Sequence, residues 1–332
     1  MNNVLEARDV HVDFPVRDGA ITFGRGRTVR AVDGVSCDVR AGEVLALVGE
    51  SGSGKTTMAK ALVGLLPPTA GLITYRGRDL KKMRGVELRS LRRRMQLIYQ
   101  DPYESLDSRQ TVFDTVAEPL IVHRMAKSES EMRDRVFAAL AAAGLHPPED
   151  VSRRYPHHLS GGERQRVVIA AAMVCEPDLV VADEPVSMLD VSVRAEILRL
   201  MLDLRKSREL TYVFITHDLS LAWVIADRIA VMYLGRIVEI GPTAEVIRQP
   251  RHPYTKSLVS VIPTPAVEQA EHKLILAGET PSPANIPTGC RFHTRCWLWQ
   301  QLGRPERCVA EDPSVQRVTD DHHAACHFIE EV

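Results

Sequence analysis

The segment GESGSGKTT, Gly49 to Thr57, decides the fold of this 332-residue chain. It follows the apolar run VLALV (44–48) and fits the pattern G-x-x-x-x-G-K-[ST]. Glycines let backbone N–H groups close around phosphate oxygens, the lysine adds a positive charge there, and the next hydroxyl can bind Mg²⁺. The segment therefore predicts a buried strand, a phosphate-binding loop and a helix that begins near Lys55.

The residues of this loop that we expect to hold a nucleotide supply backbone N–H groups, a hydroxyl or a charge. They are Gly49, Glu50, Ser51, Gly52, Ser53, Gly54, Lys55, Thr56 and Thr57. Lys55 is expected near the β- and γ-phosphates, and the Thr56 hydroxyl is expected to bind Mg²⁺.

Composition narrows the class of protein. A net charge of −1 argues against a dedicated nucleic-acid binder. No apolar run approaches the roughly 18 residues of a membrane span, and the start MNNVLEARDV does not resemble a signal peptide. We therefore expect a cytosolic chain whose six cysteines are free or bound to metal rather than paired in disulfides.

The chain changes character near Ile240, because ten of its twenty prolines and four of its six cysteines lie beyond that residue. Before it, apolar runs such as LVVAD (179–183) and TYVFIT (211–216) alternate with helical patterns, which predicts a largely parallel sheet. Between residues 101 and 177 the pattern is mainly helical. One helix is expected within SESEMRDRVFAALAAAGL (128–145), between a serine cap and a glycine.

Two carboxylates follow the strand LVVA, and a histidine follows TYVFIT. A buried parallel strand would deliver Asp183 and Glu184 to the edge where ligands bind. Asp183 could hold Mg²⁺, and Glu184 could orient or deprotonate an attacking water. His217 could contact the γ-phosphate. Taken alone, the acids could also begin a solvated loop, and the histidine could be structural.

The stretch HLSGGERQRV (158–167) presents two glycines at the start of a predicted helix. Ser160 and Glu163 fit a capping box, which explains those two residues without any ligand. It does not explain Gly161 and Gly162. Bare backbone at the positive end of a helix is suited to binding phosphate.

Together these motifs resemble the ATP-binding-cassette (ABC) ATPases: Walker A at 49–56, Walker B at 179–184 and LSGGE in the signature position. Gln100 resembles the Q-loop residue, a further Mg²⁺ ligand, and 187–190 (SMLD), ending in Asp190, resembles the D-loop. The stretches YPHHLSGGERQR, VADEPVSMLDVSV, MYLGRIVEIGPT and HPYTKSLVSVIP are similar to ATPase subunits of oligopeptide and dipeptide importers.

The resemblance implies an α/β P-loop cassette with a RecA-like sheet core, a helical subdomain at about 101–177 and a small Cys-rich C-terminal extension. The cassette would occupy 1–245 and the extension 246–332. It implies ATP and Mg²⁺ as ligands, with Glu184, His217, Gln100 and Lys55 as catalytic residues. Phe14 would stack on adenine, with Phe23 as its rival.

The resemblance also implies partners. Two cassettes would dimerise head to tail, so that Ser160, Gly161, Gly162 and Glu163 close over ATP on the partner's Walker A loop. The partner cassette could be a second copy or a paralogue. Two membrane-spanning permease subunits and, indirectly, an extracytoplasmic substrate-binding protein would complete an importer, with this chain on the cytoplasmic face of the membrane.

Alternatives remain within the same family. The arginines of LRSLRRRMQ (88–96) could suggest a DNA-repair or ribosome-associated ATPase, although a solvated helix face explains them more simply. We therefore expect no nucleic-acid partner. The transported solute could also be nickel or another small solute rather than a peptide.

Four cysteines lie in the last segment: Cys290, Cys296, Cys308 and Cys326. Resemblance to importer ATPases implies a four-cysteine iron–sulfur cluster of the [4Fe–4S] type. Zinc is the competing interpretation, because His293, His322, His323 and His327 supply additional nitrogens, and plain thiols are the third. We expect metal to organise a segment that is poor in apolar residues.

Overall fold

The computed structural model describes residues 3–15, 28–262, 274, 276 and 278–332. Contacts divide the chain into two compact units. Unit one is formed mainly by Val39–Glu43 and Tyr75–Ile215, and unit two by the described residues of Leu5–Asp38, Val44–Thr74 and Thr216–Val332. These units do not test the expected domain boundary at residue 245, which stays a prediction.

The strands, numbered along the chain, are as follows. They are β1 (Asn3–Pro15), β2 (Thr28–Arg40), β3 (Val44–Val48), β4 (Ala70–Tyr75), β5 (Arg78–Asp79), β6 (Met95–Ile98), β7 (Leu179–Asp183), β8 (Thr211–Thr216), β9 (Arg228–Tyr233), β10 (Arg236–Pro242), β11 (Gln316–Arg317) and β12 (His323–Ala324). Every residue of β3, β7, β8 and β9 is buried, as expected for central strands of a parallel sheet with mainly apolar sequences.

In unit one, β6, β7 and β8 are parallel neighbours in the order β6-β7-β8. Met95 lies opposite Leu179, and Leu179 lies opposite Thr211. Because parallel strands end at the same edge of a sheet, the residues that follow β6 and β7 are brought together.

In unit two, β9 is parallel to β3, with Leu45 opposite Arg228 and Val48 opposite Val231. The sheet continues from β9 to β10, β12 and β11, all in antiparallel pairs. A second sheet contains the order β2-β1-β4. The predicted parallel character is therefore confirmed for the strands around the site, whereas the two-residue strands of the C-terminal segment were not predicted.

The helices cover the positions between the strands. They are α1 (Lys55–Leu62), α2 (Gly85–Arg94), α3 (Pro102–Ser105), α4 (Val112–Val122), α5 (Glu129–Ala142), α6 (Pro148–Ser152), α7 (Gly161–Met173), α8 (Val191–Arg208), α9 (Leu219–Ile225), α10 (Thr243–Arg248), α11 (Pro253–Ser260), α12 (Trp297–Gln301) and α13 (Arg307–Ala310). Short 3₁₀ turns occupy Leu80–Lys82, Pro156–His158 and His293–Arg295.

The helical middle of unit one agrees with the sequence pattern. The Ser128 side chain caps α5 by accepting a hydrogen bond from the N–H of Glu131, and Gly144 follows the helix with φ 73°. Helices α4, α5, α6 and α7 pack against one another. Within the described ranges, no helix is both long and apolar enough to cross a membrane.

Candidate ATP-binding and catalytic site

The predicted phosphate-binding loop lies between β3 and α1, in unit two. A Cβ atom on Gly49 would approach the carbonyl oxygen of Met232 to 2.2 Å, and one on Gly54 would approach that of Ala31 to 2.1 Å. Gly54 also has φ 98°, which disfavours any side chain. The loop therefore lies directly on the backbone of β2 and β9, and bare N–H groups at the start of α1 are available for phosphate.

Lys55 begins α1 and is buried. Its Nζ donates hydrogen bonds to the carbonyl oxygens of Gly49 at 2.7 Å and Glu50 at 2.9 Å, so the ammonium lies inside the loop. The Ser53 hydroxyl is buried without a hydrogen-bond partner in the described chain, and Thr56 is exposed. A nucleotide phosphate would supply Ser53 with a partner, and Mg²⁺ could reach Thr56, so the loop fits both ligands.

The carboxylates of unit one follow β7. Asp183 is buried at the end of the strand, and Glu184 turns the chain with a left-handed φ of 46°. The N–H of Glu184 still donates to the carbonyl oxygen of Ile215 at 3.0 Å, which holds this turn against β8. Gln100, two residues after β6, donates from Nε2 to Oε2 of Glu184 at 3.3 Å. The structure therefore brings Gln100 and Glu184 together, in an arrangement that can orient a water molecule.

The signature stretch begins α7 with the predicted capping box. The Ser160 N–H and hydroxyl both donate to Oε2 of Glu163 at 2.8 Å, and the Glu163 N–H donates to the Ser160 hydroxyl at 3.3 Å. These hydrogen bonds, first that from the Ser160 backbone, hold the pKa of Glu163 below its usual value. Glu163 therefore acts within the cap of its own helix.

The two signature glycines have different surroundings. A Cβ on Gly162 would meet Cγ1 of Val193 at 2.7 Å, so close packing against α8 by itself requires glycine there. The nearest neighbour of a Cβ on Gly161 would be Leu189 at an ordinary 3.5 Å. Packing therefore explains the glycine at 162, and only the glycine at 161 needs phosphate binding as its explanation. From the sequence, both glycines are predicted to bind phosphate.

Three further predicted residues lie next to a strand end or a helix start. Asp190 is exposed immediately before α8. His217 is exposed one residue after β8 and belongs to unit two. Phe14, near the end of β1, is 41% exposed and free to stack on a ring, whereas its rival Phe23 lies outside the described residues. The roles assigned to all the site residues stay predictions.

The prediction of an iron–sulfur cluster is wrong. Cys290, Cys296, Cys308 and Cys326 line one pocket. However, the part of the chain that the structure describes contains no group of three or more His, Cys, Asp or Glu side chains that could hold a metal ion. This finding also gives no support to zinc.

The four cysteines instead pack among the other side chains that line this pocket. Burial raises the pKa of Cys290 and of Cys326 to about 12 and that of Cys296 to about 11, which keeps these thiols neutral at pH 7. A neutral buried cysteine packs as a small apolar side chain. Cys290 and Cys296 do so in a cluster with Tyr254, Phe292 and Leu298, so apolar side chains form the core that metal was expected to supply.

Sequence reasoning missed the residues that contact the loop from the C-terminal segment. The Glu50 N–H donates to the Tyr254 hydroxyl at 2.9 Å, and the Glu50 carboxylate pairs with Arg295 at 2.8 Å. All three residues belong to unit two. The available signals were the two arginines between the cysteines of CRFHTRC (290–296) and the tyrosine of HPYT (252–255), none of which is a typical metal ligand.

A buried strand leads into a glycine loop that contains a buried lysine, and another buried strand ends at two carboxylates. These features define an ATP-binding cassette of the P-loop class. Residues 32–187 match the family described as ABC transporter, and residues 238–301 match the oligopeptide/dipeptide transporter C-terminal region. The chain belongs to the ABC transporter family and, within it, to the ATP-binding proteins of oligopeptide and dipeptide transport.

Relatives match over nearly the whole chain. A putative oligopeptide transport ATP-binding protein, YkfD of Bacillus subtilis, is 45% identical, over 92% of this chain and 91% of its own. The oligopeptide transport ATP-binding protein OppF of Salmonella typhimurium is 44% identical, over 88% of each chain. The di/tripeptide transport ATP-binding protein DppF of Pseudomonas aeruginosa is 41% identical, over 100% of this chain and 99% of its own.

Solved structures confirm the ABC cassette fold. A dimeric post-hydrolysis state of the cassette MJ0796 with ADP and Pi matches 72% of this chain and 98% of its own, with 28% identity and a TM-score of 0.63. The cassette cbiO1 from Clostridium perfringens matches 78% of this chain and 94% of its own, with 27% identity and a TM-score of 0.64.

Proposed function

We propose that this chain hydrolyses ATP to power a membrane importer of oligopeptides or dipeptides. The observation that supports this most strongly is the match of residues 238–301 to the C-terminal region of oligopeptide/dipeptide transporters. An ATP-binding cassette alone does not indicate which solute is transported. Relatives that align with nearly the whole chain, including this second region, are named as oligopeptide or di/tripeptide transport proteins.

The site residues divide the work of ATP hydrolysis. The loop Gly49–Thr57 holds the phosphates, with Lys55 providing positive charge. Thr56, Gln100 and Asp183 would hold Mg²⁺, because their oxygen-bearing side chains suit a hard cation. Glu184 accepts the proton of the attacking water, and Mg²⁺ supplies electrostatic stabilisation of the phosphate charge when bound. His217 contacts the γ-phosphate and Phe14 stacks on adenine.

Hydrolysis takes place in a head-to-tail pair of cassettes. The start of α7, with Ser160 and Gly161, donates to ATP held by the partner's loop, and the closed pair excludes water around the γ-phosphate. Asp190 lies at the same junction. Release of phosphate opens the pair, and this opening drives two permease subunits that receive cargo from an extracytoplasmic binding protein. The chain acts at the cytoplasmic face of the membrane.

Purification of the intact complex and transport assays test this function. Tagged chain should copurify with two permease subunits, and vesicles that contain the complex should take up labelled di- and oligopeptides when given ATP. Lys55→Ala should abolish uptake, while Lys60→Ala, at an exposed position on the same helix, should not. Uptake of nickel but no peptide, or copurification with DNA or ribosomes instead of permeases, would contradict the proposal.

A further inference from the structure

Two arginines in the turn between Cys290 and Cys296 are almost completely buried. Arg291 is 8% exposed and Arg295 is 7% exposed. Removing a guanidinium from water is costly unless anionic or carbonyl groups pair with it. Such side chains are therefore expected to hold specific partners in place.

The partner of Arg295 is in the ATP-binding loop. Its Nη1 donates to Oε2 of Glu50 at 2.8 Å and its Nη2 donates to Oε1 at 3.1 Å. This two-point pairing fixes the orientation of the carboxylate as well as its position. Glu50 is the residue directly after Gly49, so the arginine contacts the loop where it leaves β3.

Other groups of the C-terminal segment fix the same loop residue. The Glu50 N–H donates to the Tyr254 hydroxyl at 2.9 Å, and the Thr280 hydroxyl donates to the Glu50 carboxylate. Burial alone would raise the pKa of Glu50, but the hydrogen bonds from Arg295 and Thr280 outweigh that effect and keep the pKa below its usual value. The carboxylate therefore stays ionised and paired.

Arg291 binds the two chain segments that contact the loop near its other end, at Ser53. It donates to the carbonyl oxygen of Leu234 and to the carboxylate of Asp33. Gly235, which follows Leu234, donates its N–H to the carbonyl oxygen of Ser53 at 2.9 Å. Asp33 donates its N–H to the carbonyl oxygen of Gly235 at 2.9 Å.

An aromatic cluster joins the two arginines. The Phe292 ring lies 5.3 Å from that of Tyr233 and 5.4 Å from that of Tyr254, measured between centroids. All three side chains are fully buried. Because packed aromatic rings in a dense core have little freedom, the arginines are held at a fixed spacing beneath the loop.

We propose that the C-terminal extension is a positioning brace for the ATP-binding loop, with Arg295 acting on it through Glu50. The inference rests on the proposed role of Gly49–Thr57 in binding ATP. The brace has two effects on that role. It fixes the backbone that must present N–H groups to phosphate, and it neutralises a carboxylate that would otherwise repel the anionic nucleotide. Arg295 is a positioning residue, since it acts through Glu50.

The test measures MgATP binding and hydrolysis by the full-length chain. Arg295→Gln should raise the Kd and the KM for MgATP by about tenfold, a coupling typical of contacting charged residues, with a smaller effect on kcat. Arg295→Lys should recover part of the affinity, because an ammonium restores the charge without the two-point pairing. In a Glu50→Gln background, Arg295→Gln should change the Kd much less, because the carboxylate that it holds is no longer present.

The matched control is Arg307→Gln, at an exposed arginine of the same extension that pairs with Glu311, and it should bind MgATP as the unsubstituted chain does. Thermal unfolding of each variant separates a loss of folded protein from a loss of affinity. If Arg295→Gln does not fold, Arg295→Lys with and without Glu50→Gln provides the same comparison.

The outcomes are distinct. An unchanged Kd and KM in folded Arg295→Gln, or equal effects with and without Glu50→Gln, would overturn the brace while leaving the proposed function intact. Failure of the unsubstituted chain and of Arg307→Gln to bind MgATP would overturn the proposed function and the brace together.

Discussion

Glu184 differs from the strand residues before it in its backbone conformation. A non-glycine residue at φ 46° costs about 1 kcal/mol or more, and here the conformation turns the chain at the end of β7. Two hydrogen bonds stabilise the turn. The Glu184 N–H donates to the carbonyl oxygen of Ile215, and the Ser187 hydroxyl donates to the carbonyl oxygen of Glu184 at 3.0 Å. The side chain is thereby directed to Gln100, where a general base could act.

Replacement of Glu184 by glutamine should keep ATP binding and remove turnover. Glutamine has nearly the same shape and can still accept a hydrogen bond from Gln100, but it cannot take a proton from water. General-base catalysis contributes about 10²–10⁴-fold, so kcat should fall by about that factor, with an unchanged Kd for MgATP. Steady-state ATPase assays and equilibrium binding measure both quantities.

Glu209→Gln is the matched control, because Glu209 also has a left-handed φ, of 53°, but lies at the end of α8. Its kcat should equal that of the unsubstituted chain. Near-normal hydrolysis by Glu184→Gln would remove Glu184 from the role of base.

Among single residues, the sequence predicted those whose contacts in the structure are with residues nearby in the chain. Lys55, Glu163 and Glu184 each belong to a local pattern whose geometry follows from one strand end or one helix start. Arg295 could not be predicted in this way, because its partner Glu50 is 245 positions away. Gly162 was attributed to phosphate because the packing of Val193 against it depends on the position of α8.

The start of α7 shows what a capping box contributes at the scale of an element. Ser160 and Glu163 satisfy each other's backbone N–H groups, and Arg154 lies 3.5 Å from the Glu163 carboxylate. The cap fixes the first turn, which is the turn that carries both signature glycines. Stability of the cap is therefore coupled to the geometry of the proposed phosphate contact.

The cap should make stability depend on pH in a defined direction. The folded-state pKa of Glu163 is lowered, so its contribution is complete above the usual value of about 4.3 and is lost as pH falls through the lower, folded-state value. Glu163→Gln can keep the cap geometry but does not titrate. The melting temperature of the unsubstituted chain should exceed that of Glu163→Gln by more at pH 7 than at about pH 3.5.

Thermal unfolding at the two pH values measures this difference. Glu129→Gln, at an exposed acid in the first turn of α5, controls for the loss of one negative charge. A gap between the unsubstituted chain and Glu163→Gln that stays constant or widens at acid pH would contradict the linkage.

Among the elements, the sequence predicted those with long periodic or unbroken apolar patterns, such as β3, β7, β8 and α5. The two-residue strands β11 and β12 could not be predicted, because alternation is undetectable over two residues. Strand β12 pairs with β10 through Glu239 and Ala324, and the buried Glu239 accepts a hydrogen bond from His322 at 2.8 Å. His322 was a candidate metal ligand, and in the structure it instead forms this hydrogen bond with Glu239.

At the scale of the molecule, the C-terminal extension is the part that the sequence explained least. The number and spacing of its cysteines suggested metal, yet spacing along a chain does not specify the distances between thiols in the fold. Phe292 of the extension packs against Tyr254, which also lies in the extension, and against Tyr233 of β9. The extension therefore has an apolar core because it shares one with the cassette strands.

The proposed pairing of two cassettes can be tested by a substitution at Gly161. A side chain there has space, and an aspartate in the first turn of a helix is favourable, so α7 should still form. At Gly162 the same change would collide with Val193 and damage folding. Gly161→Asp places negative charge where the partner's γ-phosphate would lie.

The isolated Gly161→Asp chain should bind MgATP with an unchanged Kd, because its own loop is intact, but should not hydrolyse it. Lys55→Ala should be inactive for the opposite reason, since its loop is damaged and its signature helix is not. Mixing the two inactive chains should restore part of the ATPase activity. In a mixed head-to-tail pair, the loop of the Gly161→Asp chain faces the intact signature of the Lys55→Ala chain, which completes one site. A mixture that stays inactive, or a large loss of ATP affinity in Gly161→Asp alone, would show that the signature glycine does not serve the site of a second copy.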